Sequence, residues 1–191
     1  MAMALPVPHF TIDMLETFPD DGNRYELLEG MLLVTPAPST AHQIVAGRLH
    51  VALAATLEQT GLAHVVAPGA IQRGGRTQLQ PDILVFSTAY APTTHWREIR
   101  EWWLAVEVLS RSSRIYDRDV KRAAYLALGV AEYWIADPRD CAVDVWTLGE
   151  ATSRRVTESL HWHPAALAEG IIIDLSAVFR DIRGDDEDPS A

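Results

Sequence analysis

Residues 102–109 (WWLAVEVL) are apolar at every position but one. A run of this length without polar alternation is a strand covered on both faces, so its sheet needs packed layers on either side. Residues 82–87 (DILVFS) repeat the pattern directly after Pro81. A chain of 191 residues can bury roughly 70% of its unfolded surface in one core. The expected architecture is therefore one α/β domain, a mixed sheet flanked by helices.

The remaining elements fit around those strands. Residues 11–18 (TIDMLETF) read as a short helix with Thr11 as N-cap, stopped by residues 19–22 (PDDG). Residues 25–28 and 31–34 flank Glu29 and Gly30 as a hairpin. A helix is expected over 41–59, with Ile44, Val45, Leu49, Ala52, Leu53 and Leu57 on its apolar face. A second is expected over 117–128, stopped by Gly129. Extended segments are expected at 63–67, 70–73, 132–136 and 142–148, with Gly74 and Gly75 as a turn and a further strand or two within 154–175. The domain is expected to fill residues 1–183. Residues 184–191 (GDDEDPSA) read as an acidic, solvated tail.

Charge narrows the function classes. The 16 Lys and Arg stand against 26 Asp and Glu, a net charge of −10. That argues against a binder held to nucleic acid by phosphate neutralisation alone, which needs clustered cations. Residues 111–122 run the other way, at +3 locally. The single cysteine, Cys141, excludes an intramolecular disulfide and a four-cysteine zinc site; it reads as a small inert hydrophobe. No stretch approaches 18 apolar residues and no basic leader opens the chain, so a cytoplasmic location without membrane association is expected. Phosphate-binding glycine loops and a nucleophile elbow are absent from the sequence.

Three residues need an explanation. Glu107 lies inside the buried strand, where a carboxylate is costly unless it is paired or bound to a cation; a strand-edge position or an arginine pair is the plainer account. Asp82 opens the other buried strand, where turn chemistry is the plainer account. Taken together, two carboxylates on rigid neighbouring strands are what a hard divalent cation needs, with waters completing its shell. Lys121 is the only lysine among the 16 cationic residues. An ammonium acts on a phosphate or water as a compact point charge, which guanidinium does not. Asp117, Lys121 and Tyr125 are spaced to share one helix face; the plainer account is a solvated Asp–Lys pair. His42, just inside a helix start, can approach the same site. Trp96, Trp102 and Trp103 are a candidate exposed patch for a partner subunit.

Pro81-Asp82, then Glu107 on a following strand, then a lysine, resembles the P-D…(D/E)-x-K pattern of restriction-endonuclease-like nucleases. Five longer stretches sharpen this: residues 24–30 (RYELLEG), 35–42 (TPAPSTAH), 104–113 (LAVEVLSRSS), 117–125 (DRDVKRAAY) and 129–138 (GVAEYWIADP). In this order they resemble the Uma2 family of inferred endonucleases, a domain of unknown function, over most of residues 10–180. The resemblance implies a restriction-endonuclease-like core and Mg²⁺- or Mn²⁺-dependent hydrolysis of nucleic-acid phosphodiesters, DNA foremost. In the common motif the lysine follows the acid by two residues. Leu109 stands there, and Lys121 matches a family lysine moved to the next helix. Met31 replaces an acid that members often carry, leaving Glu26 as the third carboxylate.

On this reading Asp82, Glu107 and the carbonyl of Val108 hold the cation. Lys121 steadies the attacking water or the phosphate charge, and Glu26 adds a ligand or water contact. Tyr125, His42 and Asp117 support them, Arg111, Arg114 and Arg118 contact phosphates, and a homodimer suits duplex cleavage by analogy. The rival reading is a catalytically silent, dimeric binding or scaffold domain that keeps the fold. A third is an enzyme of another phosphodiester.

Overall fold

The computed structural model describes residues 9–110 and 116–182. In chain order these form α1 (Ile12–Leu15), β1 (Arg24–Leu28), β2 (Met31–Thr35), α2 (Thr40–Thr60), β3 (Ala63–Val66), β4 (Ile71–Arg73), β5 (Thr77–Leu79), β6 (Ile83–Ser87) and β7 (Trp102–Val108). A π-helical turn (Tyr116–Lys121) leads into α3 (Arg122–Leu128), followed by β8 (Val130–Asp137), β9 (Ala142–Thr147), β10 (Arg154–Val156), β11 (Ser159–Trp162), β12 (Ile171–Asp174) and α4 (Leu175–Val178). The expected acidic tail, residues 184–191, lies outside the described residues.

The two apolar runs become β6 and β7 in the interior of a six-stranded mixed sheet of order β10-β9-β8-β7-β6-β3. β7 and β8 run parallel, and the other neighbours run antiparallel. Alternate side chains of β6 and β7 enter two separate cores. Ile83, Val85, Leu104 and Val106 pack with Val45, Leu49 and Leu53 of α2; Leu84, Phe86 and Ala105 pack with Ala124 and Tyr125 of α3. Each large aliphatic side chain so buried contributes about 1.5–3 kcal/mol. That demand on both faces explains the absence of polar alternation. A parallel pair cannot be closed by a tight turn, so the chain must cross over between β7 and β8, and Lys121 and Tyr125 ride on that crossover.

A second, four-stranded antiparallel sheet of order β2-β1-β5-β4 stands beside the first. Its β1–β2 hairpin turns at Glu29 and Gly30, both at positive φ (52° and 89°), the mirror-image turn whose twist matches antiparallel strands. β11 and β12 pair separately.

Several expectations are corrected. α1 covers only four residues, and the Thr11 side chain makes no capping bond. On α2 the buried face is His42, Val45, Ala46, Leu49, Leu53 and Leu57, while Ile44 is exposed. His42 is polar and Ala46 small, so apolar periodicity does not mark them, and it draws in Ile44, which lies beside the face. The second helix is not α throughout, because its first six residues wind as the π turn. Trp102 is buried with α3, whereas Trp103 packs against the other core. Adjacent strand residues point to opposite faces, so the tryptophan patch does not form. Cys141 is exposed in a turn at φ 48° and does not serve as a core hydrophobe.

Gly69 is fixed by a close approach. A Cβ there would lie 2.4 Å from Leu84 Cβ, at a place where the Gly69 amide donates to the Pro81 carbonyl. Gly69→Ala is expected to cost about 1–3 kcal/mol through forced displacement of β6, read as a lowered urea midpoint at unchanged m-value.

Candidate active site

The buried carboxylates collect at one end of the sheet. Pairing of Ile83 with Val106 in the β6–β7 ladder carries Asp82 and Glu107 to facing positions, on the side of the sheet that packs α3. β1 of the smaller sheet adds Glu26. The three side chains are almost wholly buried, at 0% (Glu26), 5% (Asp82) and 2% (Glu107) exposure, and each is matched by specific partners.

Asp82 Oδ2 accepts the Val108 amide at 2.8 Å and lies 2.9 Å from His42 Nε2. Its Oδ1 accepts from Arg24 Nη1 at 2.9 Å. The same guanidinium nitrogen donates to the Gln80 carbonyl at 3.0 Å. Lys121 Nζ stands 2.7 Å from Glu26 Oε2 and donates to Glu107 Oε1 at 3.0 Å. The Tyr125 hydroxyl donates to that Glu107 oxygen at 2.8 Å. Glu26 Oε1 accepts the Gln80 amide at 2.7 Å. Lys121 and Tyr125, four residues apart, thus reach one carboxylate oxygen from the same helix face.

Electrostatics follow from these contacts. Burial pushes the Asp82 carboxyl up, but the His42 hydrogen bond and charge, Arg24 and the Val108 amide outweigh it and bring it from 3.8 down to about 2. Burial lowers the Arg24 guanidinium, and Asp82 and Glu107 more than compensate, so it is raised and stays charged. Burial, then the charges of Glu107 and Glu26, hold the Tyr125 phenol well above its ordinary value. Tyr125 is therefore a fixed donor and no base.

A carboxyl depressed in the folded state stabilises above its unfolded value and loses that contribution as pH falls through the folded one. The stability advantage of wild type over Asp82→Asn is expected to be flat above about pH 5 and to shrink by on the order of 2 kcal/mol as pH falls towards 2. Paired urea denaturation series across that window measure it.

A cleft of about 20 Å³ opens among these groups, lined by Arg24, His42, Asp82, Glu107, Val108 and Lys121. That is room for one water or one ion. Among the described residues no group of three His, Cys, Asp or Glu side chains is arranged to hold a metal. The donor set is instead two carboxylates beside a main-chain segment, which suits Mg²⁺, an ion that keeps several waters and takes one or two protein carboxylates. Asp82 Oδ1 carries one hydrogen bond and retains acceptor capacity. His42 Nδ1 is buried without a hydrogen-bond partner among the described residues. The residues fit a sparse, hard-oxygen cation site.

Of the three arginines expected to contact phosphate, Arg118 falls within the described residues. Arg118 sits in the π turn with its fork on Asp137 Oδ2 (2.9 Å) and Asp144 Oδ2 (3.2 Å). Asp117 lies in the same turn, its side chain outside the described part; Arg111 and Arg114 lie outside the described residues altogether. Arg24 and Gln80 were not singled out from the sequence, although each touches an acid of the site. Arg24 heads the RYELLEG stretch, and an arginine opening a strand that carries a buried Glu was the available signal. Gln80 acts through its backbone, which no residue type announces.

No curated protein matches this chain. Among solved structures, that described as a "putative nuclease belonging to DUF820 from Anabaena variabilis ATCC 29413" aligns with a TM-score of 0.68 at 17% identity, over 89% of this chain and 97% of that one. At that identity the likeness speaks for the fold, a mixed sheet flanked by helices with a restriction-endonuclease-like core. The model of the Uma2 family, described as "Putative restriction endonuclease", matches residues 12–176. A match over so much of its length means that the chain belongs to the Uma2 family.

Proposed function

We propose that this chain is a Mg²⁺- or Mn²⁺-dependent endonuclease that hydrolyses phosphodiester bonds of nucleic acid, DNA foremost. The observation that carries the reading is the meeting of Asp82, Glu107 and the chain's single lysine around one ion-sized cleft. Asp82, Glu107 and the Val108 carbonyl would hold the cation. A bound divalent ion polarises a phosphoryl oxygen and lowers the pKa of its water.

The protein's own groups do the rest. Arg24 and His42 fix the Asp82 carboxylate from two sides, so its orientation needs no rearrangement when charge develops. Glu26 and Glu107 hold the Lys121 ammonium at the cleft, where it orients the attacking water or offsets charge on the phosphate. Tyr125 locks the Glu107 rotamer. Arg118 reaches a phosphate only by leaving Asp137 and Asp144, so its contribution is to the shape of the crossover first. Cutting both strands of a duplex benefits from two related clefts, and by that analogy the reading includes a homodimer, which sedimentation measures directly.

The test is nicking of supercoiled plasmid with Mn²⁺ or Mg²⁺, stopped by EDTA, beside variants of Asp82, Glu107 and Lys121. Activity that survives in the variants belongs to a contaminant. Absence of cleavage together with absence of metal-dependent thermal stabilisation of wild type transfers the assignment to a catalytically silent binding domain.

A further inference from the structure

A polar recess adjoins the cleft and shares Arg24 with it. It has a volume of about 410 Å³ and runs between the small sheet and the segment after α1, lined by Phe18, Arg24, Tyr25, Gln72, Gln78 and Gln80 among others. Sites for small molecules occupy roughly 300–1,000 Å³. Arg24 lines both spaces, and Gln80 lines the recess with its side chain while its amide holds Glu26. Whatever fills the recess is one residue's width from the acidic cleft.

Its walls have a specific chemistry. Phe18 and Tyr25 meet edge to face with ring centroids 5.0 Å apart, and Tyr25 is steadied by donating its hydroxyl to Asp21 at 2.7 Å. Opposite stand amides. Gln72 and Gln78 are cross-strand partners of β4 and β5, and Gln72 Nε2 donates to Gln78 Oε1 at 2.6 Å. That bond leaves one amide oxygen and one amide NH₂ of the pair without a hydrogen-bond partner among the described residues. Paired donor and acceptor groups of this kind read the edge of a base, as glutamine does with adenine, while aromatic rings supply a stacking surface for a planar base. The exposed carboxylates of Glu16 and Asp20 at the rim oppose a phosphate in the recess and favour exocyclic amines.

We propose that this recess is a nucleobase pocket with a preference for adenine or cytosine over thymine, for a base of the strand whose phosphate lies against the mouth of the neighbouring cleft. The proposal deepens the nuclease reading and rests on it for the identity of the strand. Stacking against Phe18 and Tyr25 supplies affinity, the Gln72–Gln78 pair orients the base edge, and the carboxylates of Glu16 and Asp20 supply the preference for an exocyclic amine, which thymine lacks.

The experiment titrates the full chain with adenosine, cytidine and thymidine, followed by saturation-transfer NMR, without metal so that cleavage plays no part. Adenosine and cytidine are expected to bind at least tenfold more tightly than thymidine. Glu16→Gln/Asp20→Asn is expected to lose that preference, while Gln72→Ala/Gln78→Ala, and Phe18→Leu, which keeps bulk without a ring, are each expected to weaken all three; every variant is checked for an unchanged melting temperature. Absence of binding at millimolar nucleoside, or binding that no pocket variant alters, overturns the pocket even when plasmid is cut. Preferential binding by a chain that cuts no plasmid and gains no metal-dependent stabilisation supports the pocket and removes the nuclease reading instead.

Discussion

Glu107→Gln is expected to slow metal-dependent plasmid nicking by at least roughly 10³-fold, about 4 kcal/mol of barrier, while the protein stays folded. The substitution keeps volume and an oxygen for the Tyr125 hydroxyl, and Lys121 keeps Glu26 at 2.7 Å. What goes is one of the two anionic ligands proposed for the cation, and a neutral amide is a poor substitute on a hard ion. Two readouts separate the causes. Initial nicking rates should fall across the whole Mn²⁺ range, and the metal-dependent rise in melting temperature expected for wild type should shrink. A variant that nicks at the wild-type rate would falsify the assignment of Glu107 to the cation.

The second large effect is on stability. Lys121→Met removes the ammonium of the chain's single lysine from between Glu26 and Glu107, which are 0% and 2% exposed. Breaking a buried ion pair from one side costs about 3–5 kcal/mol, because the remaining charges have lost both water and partner. In a Glu26→Gln/Glu107→Gln background the same change is expected to cost at least about 2 kcal/mol less, since no uncompensated anion is left behind. Guanidinium denaturation of the four proteins of this cycle decides it. Equal losses in both backgrounds would assign the effect to packing of the lysine stem, with no part for its charge.

The parts of this molecule legible in the sequence are those written in local pattern. β6 and β7 follow from unbroken apolar runs, α2 from its apolar periodicity, and the first hairpin from Glu29 and Gly30. Glu107 and Asp82 stood out because a carboxylate in an apolar strand is a local contradiction. The rest depends on contacts between distant residues. Arg24 meets Asp82 across 58 positions, and neither neighbourhood announces the other. β5 is three residues long, too short for any alternation to register. Arg118 was singled out for its charge, but its pairing with Asp137 and Asp144 depends on how β8 and β9 lie together. The mixed winding of 116–128 escaped for another reason: helix-forming residue types do not distinguish five-residue from four-residue hydrogen bonding.

That winding bears on how the site tolerates changes in chain length. Each residue of an α-helix advances the side-chain direction by about 100°, and the wide turn before Lys121 holds a residue more than an α turn would. Deleting a single residue between 118 and 120 would let the segment rewind as ordinary helix with α3 left in register on β8. Lys121, the residue directly before α3, would stay with that helix, and the change of phase would fall upstream, turning the Arg118 position away from Asp137 and Asp144. Changes of length in this crossover thus act on how it is tethered to β8 and β9, while Lys121 and Tyr125 keep their hold on Glu107 and the two cores beneath stay packed.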